Sequence, residues 1–150
     1  MRVVVQRVCE ASVSIDNQTI AEINTGLVIL LGIEVRDVQE DALWLAKKIA
    51  QLRIFCDDKG KMNNSIVDIN GEVIVVSQFT LHAKTKKGNR PSYIRSANNQ
   101  QAVVLYEQFK KALSDMMLKE IFSGKFGADM KVKLINDGPV TIIMDTKDKE

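Results

Sequence analysis

Gly26-Leu27-Val28-Ile29-Leu30-Leu31-Gly32-Ile33 is the longest apolar run in the chain, and glycines punctuate it near both ends. It is far shorter than the roughly 18 residues that would suggest a membrane span. An unbroken run of Leu, Ile and Val suits a strand buried on both faces. Upstream of it the chain reads as β. Arg2 to Val8 is rich in valine, and Ser12 to Asp16 alternates, with Val13 and Ile15 on one face. Asn17-Gln18 turns the chain into a strand over Thr19 to Ile23, and Asn24-Thr25-Gly26 is a second turn.

Downstream the period changes. Val38, Ala42, Leu45, Ala46, Ile49 and Leu52 recur at helical spacing, with Asp37 as the expected N-cap and Glu40 three residues later. Asp57-Asp58-Lys59-Gly60 carries turn chemistry. Val73 to Thr80 reads as a strand entered from Asn70-Gly71. Ser96 is the expected cap of a second helix, whose apolar face comprises Ala102, Leu105, Tyr106, Phe109, Ala112, Leu113 and Met116. Lys131 to Ile135 and Val140 to Met144 read as strands either side of a turn at Asn136-Asp137-Gly138-Pro139. Strands first, then alternating helices and strands, give an α+β or layered α/β domain. Two helices cover one β face; a second sheet or a partner chain covers another.

The 150 residues carry 21 Lys plus Arg and 19 Asp plus Glu, a net charge of +2, and 45% hydrophobic residues. These values exclude collagen-like, disulfide-scaffold and largely disordered chains. One domain over residues 1–150 is expected, with a core that needs no staples. The first ten residues carry Arg2, Arg7 and Glu10 and no apolar leader core, so a cytoplasmic protein is expected, with no membrane association. Two scattered cysteines and one histidine fit a reduced compartment and argue against a zinc site.

Three segments carry candidate chemistry. Ser77-Gln78-Phe79-Thr80-Leu81 places polar residues where an apolar strand should end, a common position for sites in α/β proteins. The competing reading is ordinary polarity at a strand edge, and the segment alone favours it. In Asn136-Asp137-Gly138-Pro139-Val140-Thr141, glycine before proline leaves the main chain uncovered for a ligand, or simply makes a β-turn. Lys84, Lys86, Lys87 and Arg90, with Arg95 beyond, could track phosphates or form a solvated loop. A Ser-His-Asp arrangement fits poorly: on a continuing strand Ser77 and His82 lie on opposite faces, and only Thr80 shares a face with His82. Gly124-Lys125-Phe126-Gly127 has the wrong spacing for a phosphate-binding loop. Met116, Met117 and Met130 read as core filler.

Together these segments resemble the D-aminoacyl-tRNA deacylase family, also called D-tyrosyl-tRNA deacylase. The opening Met1-Arg2-Val3-Val4-Val5-Gln6-Arg7-Val8, the two motifs at Ser77–Leu81 and Asn136–Thr141, Gly88-Asn89-Arg90-Pro91-Ser92-Tyr93 and Gly124–Met130 carry the resemblance. It implies a layered β/β/α fold: two β layers with two main helices on one face. It implies a homodimer with each active site at the subunit interface. Gly138-Pro139 would be a cis peptide that enters the partner's pocket and rejects L-aminoacyl esters by collision. Rejection by a rigid clash suits a ligand pair that shares every polar group.

The implied activity is editing hydrolysis of D-aminoacyl-tRNA, and of glycyl-tRNA mischarged on alanine tRNA, without metal or cofactor. By the same resemblance Ser77, Gln78, Phe79 and Thr80 form the catalytic segment, and Phe126 lines the pocket. Arg7 braces the Gly-Pro segment, and Lys84, Lys86, Lys87 and Arg90 contact the tRNA acceptor stem. Thr80 as nucleophile competes with a water assisted by the ribose 2′-hydroxyl; a threonine without a base favours the second. A non-enzymatic module that binds tRNA ends is the alternative from another class.

Overall fold

A computed structural model describes residues 1–149. The run that opens the sequence argument forms β3 (Gly26–Gly32), which pairs in parallel with β6 (Glu72–Ser77). Its side chains alternate between two cores. Leu27, Ile29 and Leu31 face the helix side, and Val28 faces the other; on β6, Val73 and Val75 oppose Ile74 and Val76. Leu27, Val28 and Ile29 are fully buried, and each such side chain contributes about 1.5–3 kcal/mol relative to exposure. The expectation of a strand buried on both faces holds.

The two strands expected at the N-terminus are one, β1 (Arg2–Ile15). Its register against β8 (Lys131–Asp145) shifts between Val8 and Glu10, beside the exposed Cys9 and Glu10. This bulge gives the strand two partners along one edge. Arg2 to Val8 pair with β3, and Ala11 to Ile15 pair with β2 (Gln18–Ile23). The hydrogen-bonded order is β2-β1-β3-β6-β7, where β7 is Phe122–Ser123, with β8 on the other edge of β1. β2 curls round to touch β6 and β7. Val13, Ala21, Ile23, Val28, Ile74 and Val76 fill the space between. The sheet is therefore mixed and nearly barrel-like, and its far half supplies the second β layer.

Two helices, α1 (Gln39–Ala50) and α2 (Asn99–Met117), pack on each other and on the opposite face. Both expected caps are corrected. The Asp37 carboxylate is taken by the Met1 ammonium and the Glu34 N–H, so Val38 is the N-cap and Asp41 reaches back to its N–H at 2.9 Å. Val38 is consequently exposed rather than on the buried face. Asn98, not Ser96, caps α2 by accepting from the Gln101 N–H at 2.9 Å. With that phase Met117 is buried, whereas Met116 is 37% exposed. A small hairpin of β4 (Phe55–Cys56) and β5 (Met62–Asn64) brackets the Asp57–Gly60 turn. Among the described residues no helix is long and apolar enough to cross a membrane.

Candidate active site

β6 ends at Ser77, and the next residues coil into a 3-10 turn, Phe79–His82. The strand expected to run to Thr80 stops at Ser77, with a last bond from the Gln78 N–H to the Leu31 carbonyl at 2.7 Å before the chain coils. The alternation of faces beyond Ser77 therefore fails. Gly32 permits the turn: a Cβ there would lie 2.9 Å from the Gln78 oxygen and 3.0 Å from Leu81 Cβ. A pocket of about 450 Å3 opens where β3 and β6 end, with Ser77, Gln78, Phe79 and Phe126 in its lining. Carboxyl ends of parallel strands are where α/β proteins place ligands.

Thr80 is not in that lining. Its Oγ1 accepts a hydrogen bond from Gln78 Nε2 at 2.5 Å. His82 is 3% exposed, and neither ring nitrogen has a hydrogen-bond partner, so a Thr80–His82 pair does not form. Among the described residues no carboxylate or imidazole hydrogen-bonds Ser77 or Thr80, and no cluster of three or more His, Cys, Asp or Glu is arranged to hold a metal. The Phe126 ring stands edge-on to Tyr106 at 5.4 Å. The Tyr106 hydroxyl donates to the Val75 carbonyl at 2.8 Å, and burial pushes its ionisation far up. That phenol is a fixed prop for the pocket wall.

Sequence reasoning missed a further wall. Tyr93, Ser96 and Ala97 also line the pocket. The Tyr93 ring packs edge-on against Phe79 at 5.0 Å, and Ser96 Oγ donates to the Phe79 carbonyl at 3.1 Å. Nothing in the spacing of Gly88–Tyr93 says that it folds back onto the turn.

The expected turn at Asn136–Pro139 is not a hairpin. Asn136 lies opposite Val8 and Thr141 opposite Gln6, so both arms run along β1 in one direction and residues 137–140 loop out between them. Gly138–Pro139 is cis, and both residues are exposed. The loop is fastened beneath. Arg7, 7% exposed, donates to the Asp137 carbonyl at 3.2 Å and to the Ile54 carbonyl at 2.6 Å, and pairs with the Asp137 carboxylate at 3.0 Å. With its NH2 turned toward β1, the Asn136 amide donates to the Arg7 carbonyl at 2.8 Å and the Val140 carbonyl at 3.2 Å. Gly138 has φ +120°, and a Cβ there would come within 2.9 Å of Arg7 Nη2. Gly138 and Pro139 do not line the pocket of their own chain.

Lys84, Lys86, Lys87 and Arg90 all lie in an exposed loop closed by the backbone pair Lys84–Ser92. None lines the pocket, and among the described residues none is ion-paired.

A mixed barrel-like sheet with two helices on one face, and a pocket at the carboxyl ends of two parallel strands, defines an α/β protein with a candidate ligand site. Comparison with known proteins narrows it. The family model described as D-Tyr-tRNA(Tyr) deacylase matches residues 4–145. The D-aminoacyl-tRNA deacylase of Bacteroides thetaiotaomicron is 61% identical, and that of Flavobacterium johnsoniae 56%, each over 100% of both chains. The solved structure of the c-Myc DNA Unwinding Element Binding Protein is 40% identical with a TM-score of 0.92, covering 97% of this chain and 98% of that one. A probable eukaryotic D-amino acid tRNA deacylase, 15% identical, superposes with a TM-score of 0.80 over 95% of this chain and 97% of its own, and speaks for the fold alone. The chain belongs to the D-aminoacyl-tRNA deacylase family and is a hydrolase of that family. A purely non-enzymatic tRNA-end module is thereby set aside.

Proposed function

We propose that the protein hydrolyses the ester joining a D-amino acid to the 3′-terminal adenosine of tRNA, working as a homodimer in the cytoplasm. The observation that carries this reading is the braced, exposed Gly138–Pro139 loop that does not line its own chain's pocket. Arg7 and Asn136 hold main-chain groups rigidly in a protruding position, and a second copy offers the pocket they fit. β8 supports such an assembly: among the described residues no strand other than β1 pairs with it, and its Ile135 and Ile143 are 49% and 69% exposed.

In the assembled site the loop's main-chain oxygens face the substrate Cα. An L side chain collides with them, and a D side chain points away. Glycine has no side chain to collide, so glycyl-tRNA mischarged on alanine tRNA is a second substrate. Ser77 and Gln78 orient the two ends of the ester, and Phe126 closes the pocket. The Phe79 and Thr80 amides, which open the 3-10 turn and have no acceptor within it, receive the developing oxyanion. Water adds to the carbonyl carbon, the C–O bond to the ribose breaks, and the ribose oxygen takes the proton. The 2′-hydroxyl assists, because Thr80 has no base to activate it. Lys84, Lys86, Lys87 and Arg90 contact acceptor-stem phosphates transiently.

The test is deacylation of D-Tyr-tRNA and L-Tyr-tRNA side by side, with and without chelator. Rapid loss of the D ester alone, unchanged by chelator, is expected. Hydrolysis of both esters sinks the selector, and hydrolysis of neither sinks the activity.

A further inference from the structure

Glu34 is 2% exposed, yet its carboxylate gathers three basic side chains. Oε1 accepts from Arg36 Nε at 3.1 Å and Nη2 at 2.9 Å. Oε2 lies 3.3 Å from Arg95 Nη2 and 4.0 Å from His82 Nδ1. Burial works against ionisation of Glu34. The hydrogen bond and charge of Arg36, with the charges of Arg95 and His82, outweigh it and hold the carboxyl below its usual range. One carboxylate neutralises one guanidinium, so two arginines leave a positive charge over. That charge meets solvent, since the Arg36 and Arg95 side chains are 63% and 41% exposed.

The cluster is continuous with the pocket. The Val35 N–H donates to the Arg95 carbonyl, and the Ala97 N–H to the Ile33 carbonyl, each at 3.0 Å, so the segments 33–36 and 94–97 run side by side. Ile33, Ser96 and Ala97 line the pocket, while Val35 and Ile94, 53% and 76% exposed, stand beside the arginines outside it. Exposed apolar side chains beside two carboxylate-held guanidiniums offer an unpaired strand apolar contact for its bases and charge for its phosphates.

We propose that Arg36 and Arg95, clamped on buried Glu34, form with Val35 and Ile94 the track by which the unpaired 3′ strand of the tRNA reaches the pocket. This rests on the substrate reading above: the ester sits on the last nucleotide, so the preceding ones must cross the pocket's rim. Charge complementarity selects that strand over a second copy of the chain, whose like patch would repel this one. Arginine also suits the task, because its planar fork binds phosphate oxygens in pairs. The lysines of the 84–87 loop have no such anchor, and their immobilisation costs more entropy on binding.

The experiment compares D-Tyr-tRNA with D-tyrosyl-adenosine, which lacks the preceding strand, using wild type, Arg36→Gln, Arg95→Gln and the double variant. The double variant is expected to raise KM for D-Tyr-tRNA about tenfold. It should also flatten the log–log salt slope by about 1.4, two single-strand phosphate contacts at roughly 0.7 each. Hydrolysis of the adenosine ester should change less than about twofold. An unchanged KM and salt slope for the tRNA overturns the proposal. So does an equal loss on both substrates, which would make the arginines mere supports of the pocket wall, or a change in oligomeric mass, which would make the patch an interface between copies. If the Gln variants fold poorly, Arg36→Lys with Arg95→Lys keeps both charges on Glu34 and should give an intermediate KM; a wild-type KM there overturns the track. If wild type hydrolyses neither ester, the activity reading falls. Binding of a single-stranded RNA matching the tRNA 3′ end, weakened or not by the double variant, then decides the track by itself.

Discussion

The turn at Ser77–His82 and the loop at Asp137–Val140 are opposite constructions. The turn is concave: it coils back under a pocket, and Ser96, Tyr93 and the tight approach of Gly32 hold it from within. The loop is convex: it leaves a strand whose two arms both pair with β1, and it presents a glycine and a proline to solvent. The loop depends on a buried polar anchor from elsewhere in the chain, Arg7 beneath it. A concavity recognises what fills it, whereas under the proposed function the braced protrusion acts on a pocket that it does not line. In one chain the two do not meet.

The sharpest way to break this contrast is Gly138→Ala. A Cβ at φ +120° would press on Arg7 Nη2 and on Val140 Cγ2, each 2.9 Å away, and displace the loop. Deacylation of D-Tyr-tRNA should fall about 100-fold, the scale of an ångström's misplacement. The melting temperature should fall only slightly, because the arms keep their β1 pairing. Full activity in this variant would make the loop a bystander.

Arg7→Met should cost less in rate and more in stability. It strands the buried Ile54 carbonyl and leaves Asp137 unpaired, about 2 kcal/mol of unfolding free energy by denaturant titration. The ratio of D- to L-ester hydrolysis should also fall; an unchanged ratio would separate Arg7 from selection. Thr80→Val tests the concave side. With no base on its hydroxyl, kcat should drop less than about tenfold, through the lost Gln78 contact alone. Complete inactivity would make Thr80 the nucleophile after all.

The smallest effect concerns pH. Burial works against ionisation of Asp41 and Asp145. The Lys147 ammonium, 2.7 Å from Asp41, and the Lys147 N–H and Arg2 guanidinium on Asp145 nevertheless hold both carboxyls below the usual range. The folded chain thus binds fewer protons there than the unfolded one. This stability is present above the ordinary carboxylate pKa and fades as pH falls below about 4. Lys147 is shifted up, first by its bond to Asp41, so its contribution holds until well into the alkaline range. Melting curves should be flat through neutrality and drop in acid. Lys147→Met should soften that drop, and an identical profile in the variant would dismiss the pair.

Much of the fold was legible because burial acts on local periodicity. The run at 26–33, the alternation around Val13 in β1, and the helical faces through Leu45 and Phe109 appear where the spacing predicts them. What failed turned on which partner claims a side chain. Asp37 is a good cap by type, but the Met1 ammonium takes its carboxylate; Ser96 is another, but the Phe79 carbonyl takes its hydroxyl. Tyr93 belongs to the pocket only because distant segments fold together. The Asn136–Pro139 turn leaves its arms' partner open, because turn residues report a local bend, not which strand the arms pair with.

The sequence alone therefore determined the two helices, the two-sided burial of the central strands and, through the joint occurrence of its motifs, the family. Tertiary structure alone decided that β6 stops at Ser77, that residues 137–140 stand clear of the pocket on an Arg7 brace, and that one buried carboxylate organises two exposed arginines at its rim. The physical reason is range. Apolar periodicity is a property of neighbours along the chain. The fate of a polar group is set by whichever complementary group the fold carries to it from tens of residues away.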